Sequence, residues 1–155
     1  MAAFCVEQYG GPTGITYTLL ANNGTLADFG LNASRFLAAG AIAEYWLNNY
    51  AGSDAYKAGA QLAIWDIIYD GTFDLTAGSF RSTGGYSAQA RTIMDHVNLN
   101  ITSSPWVLAV NPTVVQGGHV SEGESQNYLV RVPEPMTMLL FGLGLVGLAG
   151  LRRKE

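Results

Sequence analysis

The sequence predicts an α+β fold, in which a helical segment is inserted into a β-sandwich or barrel and a transmembrane helix follows. Segments rich in β-branched and aromatic residues lie near both ends of residues 1–130. Between them, apolar residues recur at the spacing of a helix. An uncharged apolar run then occupies residues 136–151. The length suits one domain, residues 1–130, followed by a tail, residues 131–155.

The outer segments of the domain are predicted to be strands, because they combine β-branched and aromatic residues and are bounded by glycine, proline and asparagine. Four segments have this character: 2–8, 14–21, 106–110 and 128–132. A glycine-rich loop is predicted between the last two, at residues 116–123. We expect these strands to close one sandwich or barrel around the helices.

The middle of the domain is predicted to be helical, with segments at 32–50, 54–69 and 87–98. Asn32 or Ser34 can cap the first helix and Ser53 the second, because their side-chain oxygens accept from free N–H groups of a first turn. The second helix is apolar nearly all round, which is typical of a buried helix.

Composition restricts the class of protein. Charged residues make up only 13% of the chain, where about 25% is usual for a globular domain. The formal net charge of −4 argues against a nucleic-acid partner, because a binder of nucleic acid needs a basic stripe to neutralise phosphates. The single cysteine, Cys5, excludes a disulfide within the chain and any zinc site built from several cysteines.

The tail has three parts: Pro133-Glu134-Pro135, the apolar run 136–151, and the basic cluster Arg152-Arg153-Lys154. At about 1.5 Å per residue the run reaches roughly 24 Å as a helix, a little short of a hydrocarbon core of about 30 Å. Positive residues stay on the cytoplasmic side, so residues 1–135 are predicted to lie outside. A buried core helix is the alternative, but the basic end and the proline-rich start are poorly suited to a core.

In this order, the three parts resemble the PEP-CTERM sorting signal, which has also been described as an ice-binding protein C-terminal domain. No regular Thr-x-Thr array supports ice binding. The resemblance implies a Gram-negative bacterium and an exosortase partner that recognises Pro133, Glu134 and Pro135. Cleavage there would make the helix a transient anchor in the inner membrane, with the domain delivered to the cell surface or outer envelope.

The start of the chain, Met1-Ala2-Ala3-Phe4-Cys5, has neither the charged nor the apolar region of a signal peptide. An exported domain needs such a signal. We therefore expect either a start codon assigned too late or a fragment, with the true beginning of the protein missing.

Two short sequences of the domain stand out. Phe4-Cys5-Val6-Glu7 places a thiol in a predicted strand, and Ala60-Gln61-Leu62-Ala63-Ile64-Trp65 places a carboxamide in the predicted buried helix. Gln61 and Trp65 share a face of that helix by their spacing of four residues. An unpaired carboxamide in a core costs on the order of 1–3 kcal/mol, so some group must satisfy Gln61.

This pair of sequences resembles the motifs of the thioester (TQXA) domains of bacterial surface adhesins. Phe4-Cys5-Val6-Glu7 matches the first motif throughout, and the second, Thr-Gln-x-x-hydrophobic-Trp, is matched except that Ala60 replaces threonine. The resemblance implies that the Cys5 thiolate attacks the Gln61 side chain, releases ammonia and forms an internal thioester. Trp65 would shield it from water, and Glu7 would orient an incoming amine or relay a proton.

On that reading the domain captures an amine-bearing surface protein or polymer once, in adhesion, and is not an enzyme with turnover. The resemblance implies no cofactor and no metal. Residue chemistry alone leaves other interpretations open. Cys5 could be a small buried hydrophobe, Gln61 a core amide bonded to backbone, and the whole chain a non-reactive surface or exopolysaccharide-matrix protein. A Cys-His hydrolase using His96 or His119 lacks a partner motif, and Asp66 with Asp70 lacks the acidic loop of a cation site.

Overall fold

A computed structural model describes residues 3–6, 18–20, 32–110, 115–116, 119–120 and 127–132. The elements in this part of the chain, in order, are β1 (Ala3–Cys5), β2 (Thr18–Leu20), α1 (Ala33–Tyr50), α2 (Asp54–Asp70), α3 (Ser87–Met94), β3 (Trp106–Val110), β4 (Val115–Gln116), β5 (His119–Val120) and β6 (Tyr128–Arg131). The α+β class is therefore confirmed, with the three helices between β2 and β3 as predicted.

The helix boundaries follow from local side chains. The Asn32 side chain accepts the Arg35 N–H and caps α1, whereas the Ser34 hydroxyl donates to Asn32. Ser53 caps α2 by accepting from the N–H of Tyr56. Helix α2 ends at Gly71, whose φ of 79° is the left-handed conformation that glycine adopts without strain. Helix α3 ends at Met94, four residues before the predicted end.

The prediction of a sandwich or barrel is wrong for the residues that the structure describes. Four of the six strands form a single antiparallel sheet in the order β1-β6-β3-β2, and β4 pairs with β5 in a separate two-stranded ribbon. The helices cover the inner face of the sheet and supply the apolar surface that a second sheet would otherwise provide. The ribbon lies where a glycine-rich loop was predicted.

The core lies between this inner sheet face and helices α1, α2 and α3. Its largest side chains with almost no exposure include Phe4, Ile42, Ile64, Ile93, Trp106, Leu108 and Leu129. Phe4 meets the ring of Trp46 edge-on at a centroid distance of 5.2 Å and lies 5.7 Å from the ring of Trp106. These contacts fix the short strand β1 against helix α1.

One ion pair ties the sheet to α1. Both Glu44 oxygens accept from the Arg131 guanidinium, at 3.0 and 3.1 Å, and one also accepts the Trp106 indole N–H at 2.7 Å. Arg131 holds the pKa of Glu44 below its usual range. The buried indole of Trp106 therefore has a charged acceptor at the boundary of the core.

The predicted membrane helix, residues 136–151, lies outside the described residues. Within the described ranges, no helix has both the length and the apolar character that crossing a bilayer requires.

Candidate functional site

Cys5 lies in β1, which is the first strand in the order of the four-stranded sheet among the described residues. Cys5 lies opposite Tyr128 in the antiparallel β1–β6 pair, and the next residue, Val6, donates its N–H to the Asn127 carbonyl at 2.9 Å. Bonded and non-bonded pairs alternate along an antiparallel ladder. Because Val6 belongs to a bonded pair, the N–H and C=O of Cys5 point away from β6.

The Gln61 side chain bonds to both of these backbone groups. The Cys5 N–H donates to Gln61 Oε1 at 2.8 Å, and Gln61 Nε2 donates to the Cys5 carbonyl at 2.6 Å. One carboxamide thus pairs with both outward groups of one strand residue, as the backbone of a further strand would. The structure brings the predicted pair together, although the two sequences are 56 residues apart.

The side chain of Cys5 leaves the strand on the outer face of the sheet. Phe4 and Val6 are buried toward the helices, and Cys5 between them is half-buried, as the alternation of a strand requires. The bonded carboxamide continues the plane of the sheet, whereas the Cβ of Cys5 rises out of that plane. The carboxamide of Gln61 therefore contacts the backbone of the residue that carries the sulfur.

Gln61 also lines an open cleft of about 460 Å³. Its described lining is uncharged and comes from α2 and the segment before α3: Ala58, Gln61, Leu62, Trp65, Ser82, Gly84, Gly85 and Tyr86. The predicted helical face of Gln61 and Trp65 therefore forms one wall of the cleft. Gln61 therefore borders both this cleft and the backbone of Cys5.

Two carboxylates of α2 hold the loop that forms the opposite wall. Asp66 accepts the N–H of Asp74 at 2.7 Å, and Asp70 accepts the N–H groups of Ser79 and Phe80 at 2.7 and 2.9 Å. The ring of Phe80 then packs against Trp65, with the centroids 5.8 Å apart. The shape of the cleft therefore depends on carboxylates that lie outside it.

The pKa values of these two carboxylates are shifted in opposite directions. Burial is the main cause that raises the pKa of Asp66 to about 6; the Asp74 N–H opposes the shift, and the charges of Asp70 and Asp74 add to it. One oxygen of Asp66 is buried without a hydrogen-bond partner. The N–H groups of Phe80 and Ser79 instead lower the pKa of Asp70 below its usual range.

Because the folded pKa of Asp66 lies above its ordinary value of 3.8, the native state binds a proton more tightly than the unfolded chain between about pH 4 and pH 6. This carboxylate therefore lowers stability as the pH rises through that window. We expect Asp66→Asn to raise the free energy of unfolding by about 1–3 kcal/mol near pH 8 and to change it little near pH 4. Urea unfolding at both pH values measures the effect, with Asp54→Asn, an exposed carboxylate of the same helix, as control. An equal effect of Asp66→Asn at both pH values would contradict the burial argument.

The remaining predicted site residues divide into two groups. Ala60 is fully buried in the core, so a threonine hydroxyl there would enter the core, and the Cys5 backbone already orients the Gln61 carboxamide. Trp65 is half-buried and lines the same cleft as Gln61, and its shielding role stays a prediction. Glu7, the sorting motif Pro133-Glu134-Pro135 and the basic cluster Arg152-Arg153-Lys154 lie outside the described residues.

Sequence reasoning missed three features of the site. It did not find the pairing of Gln61 with the Cys5 backbone, the loop contacts of Asp66 and Asp70, or the Glu44–Arg131 pair. A carboxylate in an otherwise apolar helix face was the available signal for Asp66. Glu44 and Arg131 gave no such signal, because they are 87 residues apart in the chain.

Two open alternatives receive no support from the described residues. His96 is exposed and its Nδ1 donates to the Thr92 carbonyl of the preceding helical turn. In the part of the chain that the structure describes, no group of three histidine, cysteine or carboxylate side chains is placed to hold a metal ion.

Comparison with known proteins adds one finding, at the other end of the chain. Residues 131–154 match the PEP-CTERM protein-sorting motif. This motif supports an exported protein that is sorted at the membrane, with an exosortase as its processing partner. Neither the curated proteins nor the solved structures contain a match to the chain.

Proposed function

We propose that this exported, exosortase-sorted protein carries an internal Cys5–Gln61 thioester and uses it for one covalent capture of an amine-bearing partner. The observation that carries the proposal is the pair of hydrogen bonds between the Gln61 carboxamide and the Cys5 backbone. They hold an inert amide beside the residue whose sulfur must attack it. Such proximity replaces a bimolecular encounter by a high effective molarity.

The first step forms the thioester. The Cys5 thiolate adds to the Gln61 side-chain carbon, the C–N bond breaks, and the nitrogen leaves as ammonia with the proton of the thiol. Negative charge develops on Gln61 Oε1, which already accepts the Cys5 N–H at 2.8 Å. The nucleophile's own backbone thus supplies an oxyanion donor that is in place before the reaction.

The second step captures the partner. A neutral primary amine in the cleft adds to the acyl carbon, the C–S bond breaks, and the sulfur leaves as the Cys5 thiol after taking up the amine proton. The product is an amide between Gln61 and the partner, so the domain reacts once. Aromatic side chains in the wall, Trp65 and Tyr86, would limit the approach of water to the acyl carbon before capture. Glu7, two residues after Cys5, would relay the proton.

The sorting tail completes the proposal. The exosortase would recognise Pro133, Glu134 and Pro135, while residues 136–151 span the inner membrane for a limited time and Arg152, Arg153 and Lys154 remain in the cytoplasm. The domain would then act at the cell surface or outer envelope, in adhesion to a protein or polymer that presents amines.

A second candidate is a non-reactive surface or exopolysaccharide-matrix protein with the same tail. One observation favours it: the Cys5 backbone satisfies both polar atoms of the Gln61 carboxamide without any covalent bond. In that case Gln61 only fixes α2 to the sheet.

Intact mass of the purified full-length chain separates the two candidates. We expect wild type to be lighter than its sequence mass by one ammonia, and methylamine treatment to make it heavier than its sequence mass by one methylene group, with the label on Gln61. The matched control is Cys5→Ser, which leaves both backbone hydrogen bonds possible but lacks the sulfur, and we expect it to show its full sequence mass and no label. A wild type at full sequence mass that takes up no methylamine would leave the non-reactive candidate.

A further inference from the structure

The indole N–H of Trp65 is a buried donor that has no acceptor among the residues that the structure describes. Of the three tryptophans in the chain, Trp106 donates to Glu44, whereas Trp46 and Trp65 have no acceptor within the described ranges. Leaving a buried donor unpaired costs stability, and such groups are rare in native structures. An unpaired donor beside a proposed reactive group therefore has to be accounted for.

Trp65 and Gln61 lie on the same face of α2. The two residues are one helical turn apart in α2, and long side chains of a helix lean toward the preceding turn. Both residues line the same cleft. The Phe80 ring packs against the Trp65 ring at a centroid distance of 5.8 Å.

Gln61 Oε1 has room for a further donor. In the resting state the Cys5 N–H is its described donor, and a carbonyl oxygen has two lone pairs. The oxygen becomes an oxyanion when sulfur or amine adds to the adjacent carbon, and acyl-transfer sites commonly stabilise that charge with two N–H donors.

We propose that the Trp65 indole N–H is the second oxyanion donor of this site, an assignment that rests on the proposed thioester. This donor has no hydrogen bond in the resting state and gains one when negative charge develops on Gln61 Oε1. The whole free energy of that hydrogen bond therefore lowers the activation barrier. The same hydrogen bond acts in thioester formation and in capture, because both pass through a charge on Gln61 Oε1. Trp65 is then a catalytic residue and more than a shield against water.

The test replaces Trp65 in the full-length chain by 3-benzothienylalanine, in which sulfur takes the place of the indole N–H at nearly constant shape. We expect the rate of methylamine capture, measured by the release of the Cys5 thiol, to fall about 100-fold. Because the group removed is unpaired in the resting state, we expect the free energy of unfolding to stay equal or to increase. A Trp65→Phe variant gives the same comparison with a natural residue.

The matched control is the same replacement at Trp46, whose N–H is also unpaired but whose ring packs on Phe4 and does not line the cleft. We expect its capture rate to match that of wild type. A thioester that forms and reacts at the wild-type rate in the Trp65 variant would overturn the assignment of Trp65 alone. A wild type without the thioester would overturn the proposed function, and this assignment with it.

Discussion

Gln61→Leu is expected to abolish amine labelling and to lower the free energy of unfolding by about 1–3 kcal/mol. The chemical effect arises because leucine has no acyl carbon to transfer. The stability effect arises because the N–H and C=O of Cys5, now bonded at 2.8 and 2.6 Å, both lose their partner. Intact mass after methylamine treatment measures the first effect, and urea unfolding measures the second.

Gln61→Glu separates the two effects. It lacks the amide nitrogen, so we expect no thioester, but it retains an acceptor for the Cys5 N–H. Its ionised carboxylate would face the Cys5 carbonyl, whereas a protonated one can donate to it. We therefore expect this variant to approach wild-type stability as the pH falls toward about 4. Labelled Gln61→Leu protein would exclude Gln61 as the acyl donor, and unchanged stability would show that its hydrogen bonds contribute little.

Glu44→Ala is expected to lower the free energy of unfolding by about 3 kcal/mol without removing the thioester. The substitution takes away the acceptor of the buried Trp106 indole N–H and the carboxylate bonded to Arg131. The ion pair itself is partly exposed, with side-chain exposures of 38% for Arg131 and 27% for Glu44, so most of the loss should come from Trp106. Urea unfolding near pH 7 measures it.

Glu44→Gln is the matched control, because it keeps an oxygen for the Trp106 N–H and removes only the charge. We expect it to cost about 1 kcal/mol, the value of a partly exposed ion pair. Equal losses for Glu44→Gln and Glu44→Ala would show that the charge, and not the indole contact, determines the stability of this region.

The helical part of the fold could be predicted because its signals are local. Asn32 and Ser53 mark the starts of α1 and α2, and the apolar spacing between them needs no knowledge of the rest of the chain. The sheet could not be predicted to the same degree. Strands such as Ala3–Cys5 are three residues long, and their pairing with Tyr128–Arg131 depends on contacts across more than 120 residues. Short strands at both ends of a chain are compatible with a sandwich, a barrel or one helix-covered sheet.

The candidate site, like the fold, could be predicted from the sequence only in part. A resemblance at two short motifs selected Cys5 and Gln61, and the structure places them in contact. The motifs could not show that the contact runs through the Cys5 backbone, because register decides which N–H and C=O face the edge of a sheet. They also gave no sign that the Trp65 N–H lacks an acceptor, since this depends on the packing of the whole cleft.

The outward backbone groups of a border strand invite pairing with another polypeptide, the route by which sheets aggregate. At Cys5, the Gln61 side chain bonds these backbone groups. The proposed reactive centre therefore also prevents another chain from pairing with β1 at this residue. Loss of the Gln61 nitrogen as ammonia would remove the donor to the Cys5 carbonyl. The border would then become receptive to a neighbouring chain only after the chemistry has begun.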